Sequence, residues 1–386
     1  MAKKYRNTGR KRNVLLLFLL VSCNVFILMA TLYQLLESKQ LLEESVTAST
    51  ELTNDVSSYF AGSGDDEFSD PTQWSITKTQ EQFSAILSNY TLTGSNVNNF
   101  DFPYLFNPSG ICNVPRSINN VFVLMMTPIS PLKADKRAVI RNVRGRLKEV
   151  DGYQIRHVFV MGRPTVNVSS ILNTLKLESD TFMDLVVLDF DDSYYNLTLK
   201  TMMLLRWAVT YCPNAKYVMK VDDDVFVNLD NLIPLLSEAP REGYAVGYVY
   251  VQSKPIRKTW NKWYVSEEEW SYEFYPPYPT GPAYVLSMDV ARAVLKSARR
   301  IRMFRMEDVY IGMNLLKLSI KPVHHNGFDR YGICQSLPCC VRNVIATHYI
   351  TSVRMATLPR RMEQLNYTKS CHATKVIKKI HRLELS

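Results

Sequence analysis

Between Val121 and Asn228 the chain alternates short apolar runs with amphipathic stretches of helical spacing. VFVLMM (121–126), HVFVMG (157–162), DLVVLDF (184–190) and AKYVMKVDDDVFVN (215–228) read as strands. ADKRAVIRNVRGRLKEV (134–150), VSSILNTLKLESDTF (168–182) and LTLKTMMLLRWAVTYC (197–212) read as helices. Strands apolar on both faces and separated by single helices form a parallel sheet with crossover helices. The fold class is therefore α/β. The aromatic, β-rich stretch 244–286 breaks the alternation, and helical spacing returns at 288–300 and 307–318. The basic C-terminal stretch 375–386 reads as a solvated helix or tail. Apolar residues make up 46% of the 386-residue chain, which excludes a disordered protein, and only 14 glycines argue against Gly-rich repeats.

No charged residue lies between Asn13 and Leu36, and the apolar core of that run is long enough to span about 30 Å of hydrocarbon as a helix. Six cations precede it and Glu37, Glu43 and Glu44 follow, so the positive-inside rule leaves the N-terminus in the cytoplasm. A cleaved signal peptide has a shorter apolar region and a small-residue cleavage site, and neither fits here. The reading is residues 1–12 as cytoplasmic tail, 13–36 as a single-pass transmembrane signal anchor, 37–117 as a polar stem and 118–386 as the lumenal domain. The net charge is +10, of which the cations before Glu37 supply six; the remaining +4 and this topology argue against nucleic acid as a partner. Beyond the span stand six cysteines, Cys112, Cys212, Cys334, Cys339, Cys340 and Cys371. Lumenal disulfides are expected from their even number, with the pairing open and buried thiols the alternative. Asn89, Asn167, Asn196 and Asn366 open glycosylation sequons.

Asp222-Asp223-Asp224 stands at the carboxyl end of the apolar run KYVMKV, where open parallel sheets bind their ligands. Adjacent carboxylates repel unless positive charge lies among them. Hard divalent cations take oxygen ligands, commonly one or two carboxylates plus substrate phosphates. A solvated acidic turn is the alternative, but it needs no apolar strand on both sides.

KYVMKVDDDVFVN, with DFDDSYYNLTLKT before it and YPPYPTGPAYVLS and MEDVYIG after it, resembles the β-1,3-galactosyltransferase family over roughly residues 118–350. That family includes β-1,3-N-acetylglucosaminyltransferases and fringe enzymes. The resemblance implies a GT-A fold with a Rossmann-like, mostly parallel sheet, a type II Golgi anchor, a UDP-sugar donor, Mn²⁺ and inversion at the anomeric carbon. Carried onto this chain, it places Asp222 at the donor ribose, with Asp223 in a lesser donor-side role, and makes Asp224 a metal ligand with His348. Arg137 and Arg141 match the Arg-x-x-Ile-Arg near the donor pocket; physically they could pair with phosphates or form a solvated basic face. Transfer to a hydroxyl needs a base. Glu307-Asp308 is the candidate pair, with Asp308 as base and Glu307 in support; helix capping is the alternative. Among Trp260, Trp263, Tyr264, Trp270, Tyr272, Tyr275 and Tyr278, some rings are expected at the acceptor site and others in the core.

Two stretches depart from the family pattern. Asn142-Val143-Arg144-Gly145 replaces Thr/Ser-Trp-Gly, and Pro279-Thr280-Gly281-Pro282-Ala283 replaces a Cys-Ser-Gly-x-Gly. The expected activity is metal-dependent, inverting β-1,3-transfer of a hexose, galactose first, from UDP-galactose or another UDP-sugar to a glycan acceptor on glycoprotein or glycolipid. Transfer of N-acetylglucosamine or N-acetylgalactosamine, and a silent glycan-binding subunit on the same fold, are the competing readings. Asp222, Asp224 and Asp308 argue against the silent subunit. A metal phosphohydrolase would need more clustered ligands. Homo- or hetero-oligomers are compatible with all of these.

Overall fold

The computed structural model describes residues 83–364 apart from 85, 94–96, 114–119, 146 and 337. The anchor, most of the stem, Cys371 and Asn366 lie outside the described residues. Among those described, no helix is long and apolar enough to cross a membrane.

The chain forms a mixed α/β sheet with flanking helices. Its strands are β1 (Tyr104–Phe106), β2 (Val123–Pro128), β3 (Glu149–Val150), β4 (Tyr153–Arg163), β5 (Leu185–Asp191), β6 (Tyr217–Val221), β8 (Ala245–Tyr250), β9 (Tyr278–Ser287) and β10 (Val323–His324). The order is β1-β5-β4-β2-β6-β9-β8-β10, with β3 on β4. The pairs β4–β5, β2–β4 and β2–β6 are parallel, as the strand-helix alternation requires. β9 runs antiparallel to both β6 and β8, so the sheet is less parallel than expected. A short sheet joins β7 (Phe226–Val227), β11 (Phe328–Asp329) and β12 (Ala346–Thr347). The expected strand 215–228 thus divides at its acids, and its second half crosses to this other sheet.

The helices are α1 (Ala134–Ile140), α2 (Val168–Phe182), α3 (Leu197–Tyr211), α4 (Leu229–Glu238), α5 (Met288–Ala298), α6 (Glu307–Lys317), α7 (Pro338–Val341) and α8 (Ser352–Gln364). The helix expected over 134–150 is shorter. α1 passes into a π-turn, Arg141–Gly145, which rotates Arg144 into the interior, and 149–150 pair with β4. Helix α3 packs its buried Met202, Met203, Leu204 and Trp207 into the main core with Leu124, Met126 and Val158 of the sheet.

The segment 83–113, counted with the stem above, belongs to this core. Phe83, Ile86, Leu87 and Phe100 are buried in it, β1 pairs antiparallel with β5, and Cys112 is bonded to Cys212 at the end of α3. Its apolar residues are too widely spaced among polar ones to register as an element. A second disulfide joins Cys334 to Cys340.

Candidate active site

Strand β6 is buried along its whole length and ends at the half-buried acids Asp222, Asp223 and Asp224. Each acid has its own basic side chain beside it. Lys220 Nζ lies 2.7 Å from Asp222 Oδ1. Lys133 and Lys136, at the start of α1, reach the two oxygens of Asp223 at 2.6 and 3.0 Å. His348 Nε2 lies 3.4 Å from Asp224 Oδ1. The electrostatics follow the partners. Burial raises the pKa of Asp222 against the pull of Lys220. For Asp224 burial acts the same way, but the hydrogen bond and charge of His348 outweigh it and the net shift is downward.

Across β9 from this acid tip stands the first turn of α6. The N-cap position is Met306, so neither Glu307 nor Asp308 caps the helix from outside it. Glu307 is 8% exposed and occupied internally: Tyr284 donates its hydroxyl to Oε1 at 2.6 Å, and Lys220 lies 3.6 Å from Oε2. Asp308 is half-buried. Its Oδ2 accepts the Gly281 N–H at 3.1 Å and its Oδ1 the Val309 N–H at 2.9 Å. Burial raises the pKa of both carboxyls, against Lys220 for Glu307 and against these backbone N–H groups for Asp308. Of the pair, Asp308 is the more exposed, as its neighbour is held in the interior.

His348 donates from Nδ1 to the Arg330 carbonyl at 3.0 Å, the arrangement that orients a ligating imidazole. Asp224 and His348 therefore supply one carboxylate and one imidazole suited to a divalent cation. Among the described residues no three His, Cys, Asp or Glu side chains gather around one point. Two protein ligands leave positions for diphosphate oxygens and water, as is usual for cations bound through substrate phosphates.

Arg137 and Arg141 are placed elsewhere. They form a half-buried ion cluster with Glu178 of α2 and with Asp184, at 2.6–2.7 Å, and Arg141 lies over the Phe182 ring. The guanidinium that reaches the acid tip is Arg144, within hydrogen-bond distance of the Val225 and Asp222 carbonyls. Its signal in the sequence was the departure at that position, and that of Lys220 a lone cation inside an apolar strand. Trp270, Tyr275 and Tyr278 are core residues, whereas Trp260 is 81% exposed. Asn89 and Asn167 are exposed. Asn196 is half-buried, and its Nδ2 donates to the Asp191 carbonyl at 2.9 Å.

An acid-tipped strand facing a half-buried carboxylate pair is the arrangement of a group-transfer enzyme. A family profile described as Galactosyltransferase matches residues 135–326. Beta-1,3-galactosyltransferase 1 of Mus musculus and of Homo sapiens are each 38% identical over 265 residues, covering 67% of this chain and 78% of theirs. Beta-1,3-galactosyltransferase 5 of Mus musculus is 34% identical over 63% of this chain and 79% of its own. A solved galactosyltransferase in complex with donor and acceptor sugar analogs is similar at a TM-score of 0.34 and 10% identity over 64% of this chain and 98% of that one, too weakly to inform the chemistry. The chain belongs to the galactosyltransferase family.

Proposed function

We propose that this chain is an inverting β-1,3-galactosyltransferase of GT-A type, taking galactose from UDP-galactose to a glycan hydroxyl on glycoprotein or glycolipid. The observation that carries the reading is the division of labour in the first turn of α6. Glu307 is bonded to side chains in the interior, while Asp308, half-buried across β9 from the acid tip, is bonded to two backbone N–H groups. The acceptor oxygen bonds to the anomeric carbon as the bond from that carbon to UDP breaks. The hydroxyl proton passes to Asp308, and the electron pair leaves with the diphosphate. Asp222 stands on the donor side, at the ribose. Asp224 and His348 would hold a divalent cation such as Mn²⁺, which supplies positive charge to the departing diphosphate. Arg137 and Arg141, bound to Glu178 and Asp184, support the donor wall from behind rather than touching phosphate. The apolar run 13–36 anchors the chain as a type II Golgi membrane protein, with the sequons on the lumenal side.

The test is UDP release by the full-length chain from UDP-galactose, UDP-N-acetylglucosamine and UDP-N-acetylgalactosamine, with Mn²⁺ or with chelator, over a panel of glycan acceptors. Acceptor-dependent release from UDP-galactose, lost with chelator, is expected. Preference for an N-acetylated donor would correct the sugar. No release from any donor would overturn the reading.

A further inference from the structure

We infer that Lys220 is the positioning residue that ties the donor-side acids to the acceptor-side base. The inference rests on the transfer reading above. Lys220 is the one charged residue of β6, and its side chain is 5% exposed. Its ammonium has three N–H groups and no acceptor. They face Asp222 Oδ1 at 2.7 Å, the Gly281 carbonyl at 2.5 Å and Glu307 Oε2 at 3.6 Å. The three acceptors come from three places: the acid tip, β9 and the first turn of α6.

The Gly281 peptide extends this contact to the base. Its carbonyl takes the Lys220 ammonium while its N–H donates to Asp308 Oδ2 at 3.1 Å. The next residue, Pro282, accepts the Asp222 N–H at 2.9 Å. Asp222 and Asp308 are thus held to adjacent residues of β9, Pro282 and Gly281, and the ammonium bonds to Asp222 and to the Gly281 carbonyl. Gly281 lies within β9, and a Cβ placed on it would be in ordinary contact with Asp308 Oδ2, at 3.5 Å. A buried lysine is ordinarily pushed toward its neutral form by desolvation; here Asp222 and Glu307 outweigh that and hold it charged.

Other groups also face Asp308. Glu307 does so from its own helix, Tyr278 and Tyr284 from β9, Tyr275 from just before β9, and Tyr194 from the segment before α3, with Arg305 beside Tyr194. Lys220 is the cation bonded into this group. A neutral residue there leaves Glu307 and Asp308 facing Asp222 with nothing positive between them, so Asp308 becomes harder to ionise and loses its set position relative to the donor.

The experiment uses the full-length chain as wild type, K220R and K220M, with UDP-galactose and the acceptor found in the panel. It reads kcat, donor KM and the pH profile of kcat/KM. K220M is expected to lose about 100-fold in kcat, with the acid limb of the profile moved up by about one pH unit. K220R, which keeps the charge, is expected to stay within tenfold of wild type with the limb in place. A merely structural lysine would lower activity evenly at all pH values. An even loss in K220M, or a loss below tenfold, therefore overturns the inference. Should K220M not fold, K220R decides alone: a moved limb or a loss beyond tenfold overturns it. Absence of transfer by the wild-type chain overturns the functional reading, and this inference with it.

Discussion

Arg144 donates from Nη2 to the hydroxyl of Thr127 across 2.7 Å, and Nη1 reaches the Val225 carbonyl at 3.0 Å. The guanidinium is 2% exposed and, among the described residues, has no carboxylate within salt-bridge distance. Burial brings its pKa down to about 10, while the field of Asp223, Asp222 and Asp224 opposes the fall. The acid tip therefore rests on a buried cation. In R144M the Val225 carbonyl and the Thr127 hydroxyl lose their donor. Each such loss costs about 1–3 kcal/mol. The thermal midpoint, followed by calorimetry, is expected to fall by roughly 5 °C. An unchanged midpoint would show that the tip does not depend on this support.

Thr127 Oγ1 accepts from Arg144 and also lies within hydrogen-bond distance of His157 Nε2, 2.9 Å away. Burial first, then Arg144 and Arg141, hold the His157 pKa well below its ordinary value. The sign follows from proton uptake. Below about pH 6.5 the unfolded chain protonates this imidazole and the folded chain does not. The stability is present above pH 6.5 and is lost as pH falls from there toward the depressed folded value, by up to about 1.4 kcal/mol per pH unit. Denaturant midpoints of the wild type and H157L, measured from pH 7 to pH 5, are expected to converge as pH falls. Parallel curves would refute the assignment.

The Cys112–Cys212 bond fastens the segment around β1 to the end of α3, its cysteines 100 positions apart in the chain. Closing a loop of that length restricts the unfolded chain, and losing a native bond of this kind typically costs about 2–5 kcal/mol. C112S is expected to lower the denaturation midpoint accordingly. Peptide mapping of the unreduced chain should recover the 112–212 pair; a different partner for Cys112 would contradict the fold of residues 83–113.

What could be read from the sequence was local. Four apolar runs with helices between them define β2, β4, β5, β6 and their parallel neighbours. The acids could be found because they follow one such run without interruption. The long-range contacts gave no such signal. Lys220 and Gly281 are 61 residues apart and meet only because β9 turns back antiparallel beside β6, in a region where the alternation had ended. Arg137 and Arg141 have helical spacing toward any acid nearby, and only the position of α2 settles them on Glu178. Arg144 reaches the tip from a π-turn at Arg141–Gly145, which takes more residues per turn than the α-helix and shifts the facing that a periodicity of 3.6 anticipates.

Asp308→Asn keeps an acceptor for one of the two backbone N–H groups, sets its amide nitrogen against the other, and removes the proton acceptor. A positioned general base contributes about 10²–10⁴-fold. D308N is expected to lose transfer on that scale while binding UDP as the wild type does, by calorimetry. Equal loss of binding and turnover would reject its role as base and place Asp308 on the donor side instead. The raised pKa of this carboxyl, from burial, puts the acid limb of the wild-type profile above that of an ordinary aspartate.

His348 and Asp224 are the groups best arranged to share a divalent cation. The imidazole is fixed from two sides, by the Arg330 carbonyl at Nδ1 and by the Tyr349 ring stacked at 3.8 Å, which leaves Nε2 turned to the carboxylate. UDP affinity is the direct readout, measured by calorimetry with Mn²⁺ and with chelator. D224N is expected to weaken the Mn²⁺-dependent affinity at least about tenfold, as losing one ligand-supporting group does, with little change in chelator. H348Q should act in the same direction. If both side chains hold one ion, as proposed, the double variant is expected to lose less than the two single losses combined. Full additivity would mean that the two residues act at separate places and that the 3.4 Å contact between them is an ordinary ion pair.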